Sequence, residues 1–104
     1  GVETLTAENG LVAIDLLNAA HRLPDIILLD VEMPVKDGIQ TLREIRKSRR
    51  YGHLPVIMVT SRTGAKHRAL ASEAGCNAYM GKPFNFPELI RQINELTGHD
   101  LQLS

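Results

Sequence analysis

Aliphatic residues gather in short blocks, separated by stretches in which they recur every three or four positions. Ile26-Ile27-Leu28-Leu29 is unbroken and runs into Asp30, with Met33-Pro34 and Asp37-Gly38 close behind. An apolar run bounded by turn residues predicts a strand buried on both faces, as in a parallel sheet. Pro55-Val56-Ile57-Met58-Val59-Thr60 repeats the pattern and again ends on a polar residue. Ala78-Tyr79-Met80-Gly81-Lys82-Pro83 is a shorter instance ending at a lysine, and Val2-Glu3-Thr4-Leu5-Thr6 is a partly alternating strand suited to an edge.

Between the blocks the period changes to that of a helix. Ala13, Leu16, Leu17 and Ala20 predict a helix over 11–20, ended by Leu23-Pro24. Ile39, Leu42 and Ile45 predict a second, running to about Arg50. Residues 65–74 predict a third with an alanine-rich face (Ala65, Ala69, Leu70, Ala74), stopped by Gly75. Leu89, Ile90, Ile93 and Leu96 predict a fourth, opened by the capping box Asn85-Phe86-Pro87-Glu88 and closed by Gly98. Asn9-Gly10 and Asp37-Gly38 read as turns. Four β-α units in succession predict an α/β fold, a parallel sheet with right-handed crossovers and helices on both faces.

Composition narrows the class. With 104 residues the chain makes one domain, residues 1–98, followed by a short tail at 99–104. Lys+Arg 12 balances Asp+Glu 12, so bulk charge gives no case for nucleic acid or an anionic membrane. No apolar run approaches membrane-spanning length, and no signal peptide is visible. The single Cys76 excludes an internal disulfide and fits a reducing, cytoplasmic setting. Arg43, Arg46, Lys47, Arg49 and Arg50 crowd a helix C-terminus, where cations suit the dipole, and read as a solvated face. The four histidines show no metal-ligand spacing.

Three strands thus end in a carboxylate, a hydroxyl and an ammonium: Asp30, Thr60 and Lys82. In a parallel sheet these ends share one edge, where open α/β folds place their chemistry. A carboxylate can attack a phosphoryl group to form an acyl phosphate. The new phosphoryl oxygens then need donors and cations, which Thr60, Lys82 and a divalent ion such as Mg²⁺ could supply.

The chain resembles the receiver domain of two-component response regulators, with the flavodoxin-like three-layer α/β/α fold. Asp30 with Met33-Pro34 and Asp37-Gly38 is similar to that family's phosphoacceptor motif. Val56–Thr60 resembles the strand carrying its switch threonine, and Lys82-Pro83-Phe84 its lysine motif, where the family has a cis peptide before proline. The intervals between the three match without a gap. The resemblance implies that Asp30 accepts a phosphoryl group from a phosphohistidine of a histidine kinase or phosphotransfer domain, with Mg²⁺. It implies that Thr60 and Tyr79 form a switch in which Tyr79 rotates inward behind Thr60, altering contacts with a downstream signalling protein. It also implies that Glu32 offers its backbone carbonyl to the metal, and that the side chains of Glu32 and Arg62 tune dephosphorylation. Any enzymatic activity would be limited to autophosphotransfer and autodephosphorylation.

Thr60-Ser61-Arg62-Thr63-Gly64-Ala65-Lys66-His67-Arg68, with Gly75 to Pro83, is similar to receivers at the C-terminus of chemotaxis-type or twitching-pilus hybrid histidine kinases. The bland alternative makes Arg62, Lys66 and Arg68 a solvated loop and helix face. The family begins with a strand ending in an acidic pair and a helix, both missing before Val2 here. Its strand order, 2-1-3-4-5, would then leave a gap between Val2–Thr6 and Ile26–Leu29. That predicts unpaired edges open to homodimerisation, there or through the last helix–strand face, and a metal site reduced to Asp30 and the Glu32 carbonyl. Two other readings compete. A haloacid-dehalogenase-type phosphatase needs a second Asp where Glu32 stands and a later acidic pair for its metal, which no residues after Lys82 supply. A pseudo-receiver would bind partners without phosphorylation.

Overall fold

The structure, a computed structural model, describes residues 3–7, 10–31, 35–61 and 64–98. Its elements alternate as the periodicity predicts: β1 (Thr4–Ala7), α1 (Gly10–Ala19), β2 (Ile26–Val31), α2 (Val35–Lys47), β3 (Val56–Thr60), α3 (Ala65–Ala74), β4 (Ala78–Gly81) and α4 (Phe86–Thr97). The strands form one parallel sheet in the order β1-β2-β3-β4. Because strand side chains alternate between faces, each strand feeds two cores. Ile27, Leu29, Val56 and Met58 pack with Ala13, Leu17, Leu42, Ile45 and Ala71, so α1, α2 and α3 cover one face. Ile26, Ile57, Val59 and Met80 pack with Leu89 and Ile93, so among the described elements α4 covers the other. β3 is buried at every position, as a strand between two covered faces must be.

The gap expected between the first two strands is closed. β1 pairs with β2 from Thr4 beside Ile26 to Ala7 beside Leu29. Asp25 N–H donates to Glu3 O at 2.7 Å, and Glu3 N–H to the Asp25 carboxylate at 2.8 Å. Buried strand edges leave peptide groups without partners, and direct pairing satisfies both edges at once.

Two turn signals proved to be helical. Gly10 is the first residue of α1 and is buried against α2. A Cβ there would lie 1.8 Å from Thr41 Oγ1, so the missing side chain is what lets the two helices approach. Asp37 and Gly38 lie inside α2, which ends at Lys47 rather than Arg50. The inward face of α1 is Gly10, Ala13 and Leu17, while Leu16 is exposed. The inward face of α3 is Ala71, flanked by half-buried His67 and Ala74, and not the face with Ala65, Ala69 and Leu70. Alanine-rich helices carry too weak an apolar contrast for periodicity to fix their rotation. α3 ends on Gly75 at φ 108°, whose N–H reaches Ala71 O and Ser72 O. α4 opens on Asn85, whose Oδ1 accepts Glu88 N–H at 3.1 Å, while the Glu88 carboxylate is engaged by Arg91 and Gln92.

The basic cluster at the end of α2 is not simply a solvated face. Arg46 donates to Gly52 O, Leu54 O, Gly75 O and Asn77 Oδ1, tying α2 to the loops that enter β3 and β4. Desolvation by this burial lowers its pKa from the ordinary arginine value. Arg50 donates to Leu17 O and Ala20 O at the end of α1, and Tyr51 Oη to Asn18 Oδ1 at 3.0 Å. These arginines serve as helix-end partners.

Candidate functional site

Register decides what the sheet edge presents. Asp30 pairs with Val59, Val31 with Thr60, and Thr60 with Gly81, so the carboxyl ends of β2, β3 and β4 are level. Lys82 follows directly, its N–H donating to Thr60 O at 2.9 Å, and the Lys82–Pro83 peptide is cis. By alternation Asp30 shares the α4 face with Ile26 and Leu28. Thr60 shares the opposite face with Val56 and Met58.

Asp30 and Lys82 meet: Nζ stands 2.5 Å from Oδ1, with the two side chains 25% and 36% exposed for Lys82 and Asp30 respectively. That oxygen is buried and accepts no aligned hydrogen bond among the described residues, so the ammonium charge is what offsets its burial. Thr60 is 1% exposed at the end of β3, between β2 and β4. Tyr79 stands beside Met58, half-buried against the core under α1, α2 and α3. Burial raises its phenol pKa above the ordinary value, and the neighbouring Arg68 pulls the other way. Cys76, at the turn into β4, donates Sγ–H to Ala78 O at 2.6 Å, and burial raises its thiol pKa. Glu32 and Arg62 lie outside the described residues, as does the tail at 99–104.

A buried carboxylate oxygen with an open lone pair is a fitting ligand for a hard cation. It is one ligand, however. Among the described residues no three His, Cys, Asp or Glu side chains converge to hold a metal, so these residues alone do not make a Mg²⁺ site.

A parallel α/β sheet whose carboxyl edge offers an aspartate, a buried threonine and a lysine in ion-pair contact defines a receiver-type α/β domain. The response regulator receiver domain model matches residues 1–94, and the chain belongs to that family. It is 39% identical over 85 residues to the sensor histidine kinase CheAY of Helicobacter pylori, covering 82% of this chain and 11% of that protein. It is 43% identical over 96 residues to a CpxR homologue, a transcriptional regulatory protein of Haemophilus influenzae, covering 92% of this chain and 40% of that protein. The chain thus spans less than half the length of these two relatives, one a sensor histidine kinase and the other a transcriptional regulatory protein. Among solved structures, the receiver domain of the sensor histidine kinase PA1611 from Pseudomonas aeruginosa superposes with a TM-score of 0.72 at 27% identity, over 95% of this chain and 99% of that one. That structure carries a magnesium ion coordinated in its active-site cleft. A putative response regulator from Chloroflexus aurantiacus shares the fold, at a TM-score of 0.80 and 22% identity over 95% of this chain and all of that one.

Of the residues singled out from the sequence, the structure brings Asp30 and Lys82 into contact and sets Thr60 on the strand between them. It adds a role for one residue whose alternative reading from the sequence was a solvated helix face, Arg68. Its guanidinium lies over the Tyr79 ring, 5.2 Å from the centroid. A cation on α3 and an aromatic in β4 are too far apart in sequence for periodicity to pair them.

Proposed function

We propose that this chain is a phospho-receiver in which Asp30 accepts a phosphoryl group from a phosphohistidine. A carboxylate oxygen of Asp30 attacks phosphorus. The P–N bond breaks, its electron pair returns to the imidazole nitrogen, and a P–O bond to Asp30 forms. Lys82, already against the carboxylate, then pairs with a phosphoryl oxygen, and Thr60 supplies a hydroxyl donor from the neighbouring strand end. The observation that carries this reading is the 2.5 Å contact between Lys82 Nζ and the buried Oδ1 of Asp30. Thr60 and Tyr79 act as the switch, with Glu32 and Arg62 tuning phosphoryl lifetime. Mg²⁺ belongs to the reading with Asp30 as one ligand and the remainder supplied beyond the described residues. The phosphoryl donor is a histidine kinase or phosphotransfer domain, and the chain works in the cytoplasm within a kinase-linked receiver. No described helix is long and apolar enough to cross a membrane.

The test compares the chain with Asp30→Asn in the presence of beryllofluoride and Mg²⁺, followed by two-dimensional NMR. Shifts spreading from the ends of β2, β3 and β4 in the wild type, absent in the variant, are the expected result. Identical spectra with and without beryllofluoride would instead favour a phosphorylation-independent interaction module. The donor set at Asp30, lacking converging acids among the described residues, is the observation on that side.

A further inference from the structure

Arg68 lies on α3, outside the Asp30 site, yet it holds Tyr79 at two points. Its guanidinium carbon sits 5.2 Å from the ring centroid, and Nη1 reaches the Tyr79 carbonyl oxygen at 3.4 Å. The contact closes one side of a cleft of about 240 Å³ between α3 and β4, lined also by Ser72, Cys76, Asn77 and Ala78. The ring is half-buried, and the cleft beside it leaves space for it to turn. Arg68 itself is exposed, so no core packing dictates its placement over the ring.

We propose that Arg68 is a positioning residue that latches Tyr79 in its resting orientation, so that any inward turn of the ring must first break the Arg68 contact. This rests on the reading of Tyr79 as the switch partner of Thr60. A cation–π contact at an exposed position shifts a two-state equilibrium by about two- to five-fold, enough to bias a switch without locking it. Arg68 therefore acts through Tyr79 and touches no reacting atom. Among the described residues, the charged and titratable groups facing the phenol are Arg68 from α3 and Cys76 from the turn before β4.

Arg68→Ala, Arg68→Gln and Arg68→Lys separate charge from packing. The phenol of Tyr79 is titrated by its phenolate absorbance, with Tyr51 assigned through Tyr51→Phe, and its ring is followed by NMR. Beryllofluoride saturation is measured on the same samples with Mg²⁺. Loss of the cation in Ala and Gln variants should raise the Tyr79 pKa, move its ring signals, and lower the half-saturating beryllofluoride concentration about two- to five-fold. Lys should restore much of each. An unchanged Tyr79 pKa and ring environment in Arg68→Ala overturns the latch, as does a moved ring with unchanged beryllofluoride saturation. Failure of the underlying reading looks different: the wild type itself shows no Asp30-dependent response, while the Arg68 effect on the Tyr79 pKa persists, and the switch role then falls with it.

Discussion

At the scale of single residues, the arginines and the cysteine carry more than their sequence context suggested. Arg46 satisfies four acceptors on two separate loops with one planar guanidinium, a geometry that lysine cannot reproduce. Hydrogen bonds to a charged donor contribute more than neutral ones, and their loss strands half-buried carbonyls. Arg46→Ala should therefore lower unfolding stability by about 2–3 kcal/mol in urea titration, with Arg46→Lys recovering only a part. A change under half a kilocalorie would show the clamp to be incidental. Cys76 gives a pH signature. Burial raises its pKa above the ordinary 9.0, so the folded state holds the thiol proton more tightly than the unfolded chain. Its contribution is complete below the unfolded value and is lost as pH rises through the folded one. Unfolding free energy should thus decline above pH 9.0, and Cys76→Ala should flatten that decline. An unaltered alkaline slope in the variant would assign it elsewhere. Neither role was legible beforehand. A run of basic residues says that cations cluster, but which of them turns inward depends on carbonyls far away in sequence.

At the scale of elements, the strands were easier to read than the helices. The runs at 26–29 and 56–59 are apolar at every position because both faces of their strands are covered, and such runs admit few alternatives. Helix rotation was legible where the apolar stripe is strong, as at Ile39, Leu42 and Ile45, all buried. For α1 it was legible at Ala13 and Leu17, both buried, but not at Leu16, which is exposed, nor at Gly10, which is buried; for α3 it was misread, since Ala71 faces inward while Leu70 points outward. Gly10 shows the physical reason: close helix–helix approach selects for an absent side chain, which a hydrophobicity pattern registers as a break. Gly10→Ala should consequently cost about 1–3 kcal/mol through overpacking against Thr41, despite alanine's better helix propensity. Combining it with Thr41→Ala should recover a measurable share in a double-mutant cycle by thermal unfolding. Strict additivity would mean that the two side chains never meet.

At the scale of the whole molecule, the site was legible because it is a property of topology. Consecutive parallel strands put Asp30, Thr60 and Lys82 at one edge wherever the intervening helices pack, and the observed register sets the ends of β2, β3 and β4 level. The direct pairing of β1 with β2 was not legible, since it depends on which edges find partners and not on any local pattern. It leaves the Asp30–Lys82 edge in place, with α4 on that side of the sheet.

The central claim is that Asp30 is the acceptor, and covalent trapping tests it most directly. The chain is incubated with acetyl phosphate and excess Mg²⁺, reduced with borohydride to fix any acyl phosphate as homoserine, and mapped by tandem mass spectrometry. The account predicts homoserine at position 30 in the wild type, none there without the phosphoryl donor, and none at any other aspartate. Unmodified Asp30 beside a trapped aspartate elsewhere, such as Asp15 or Asp25, would contradict it.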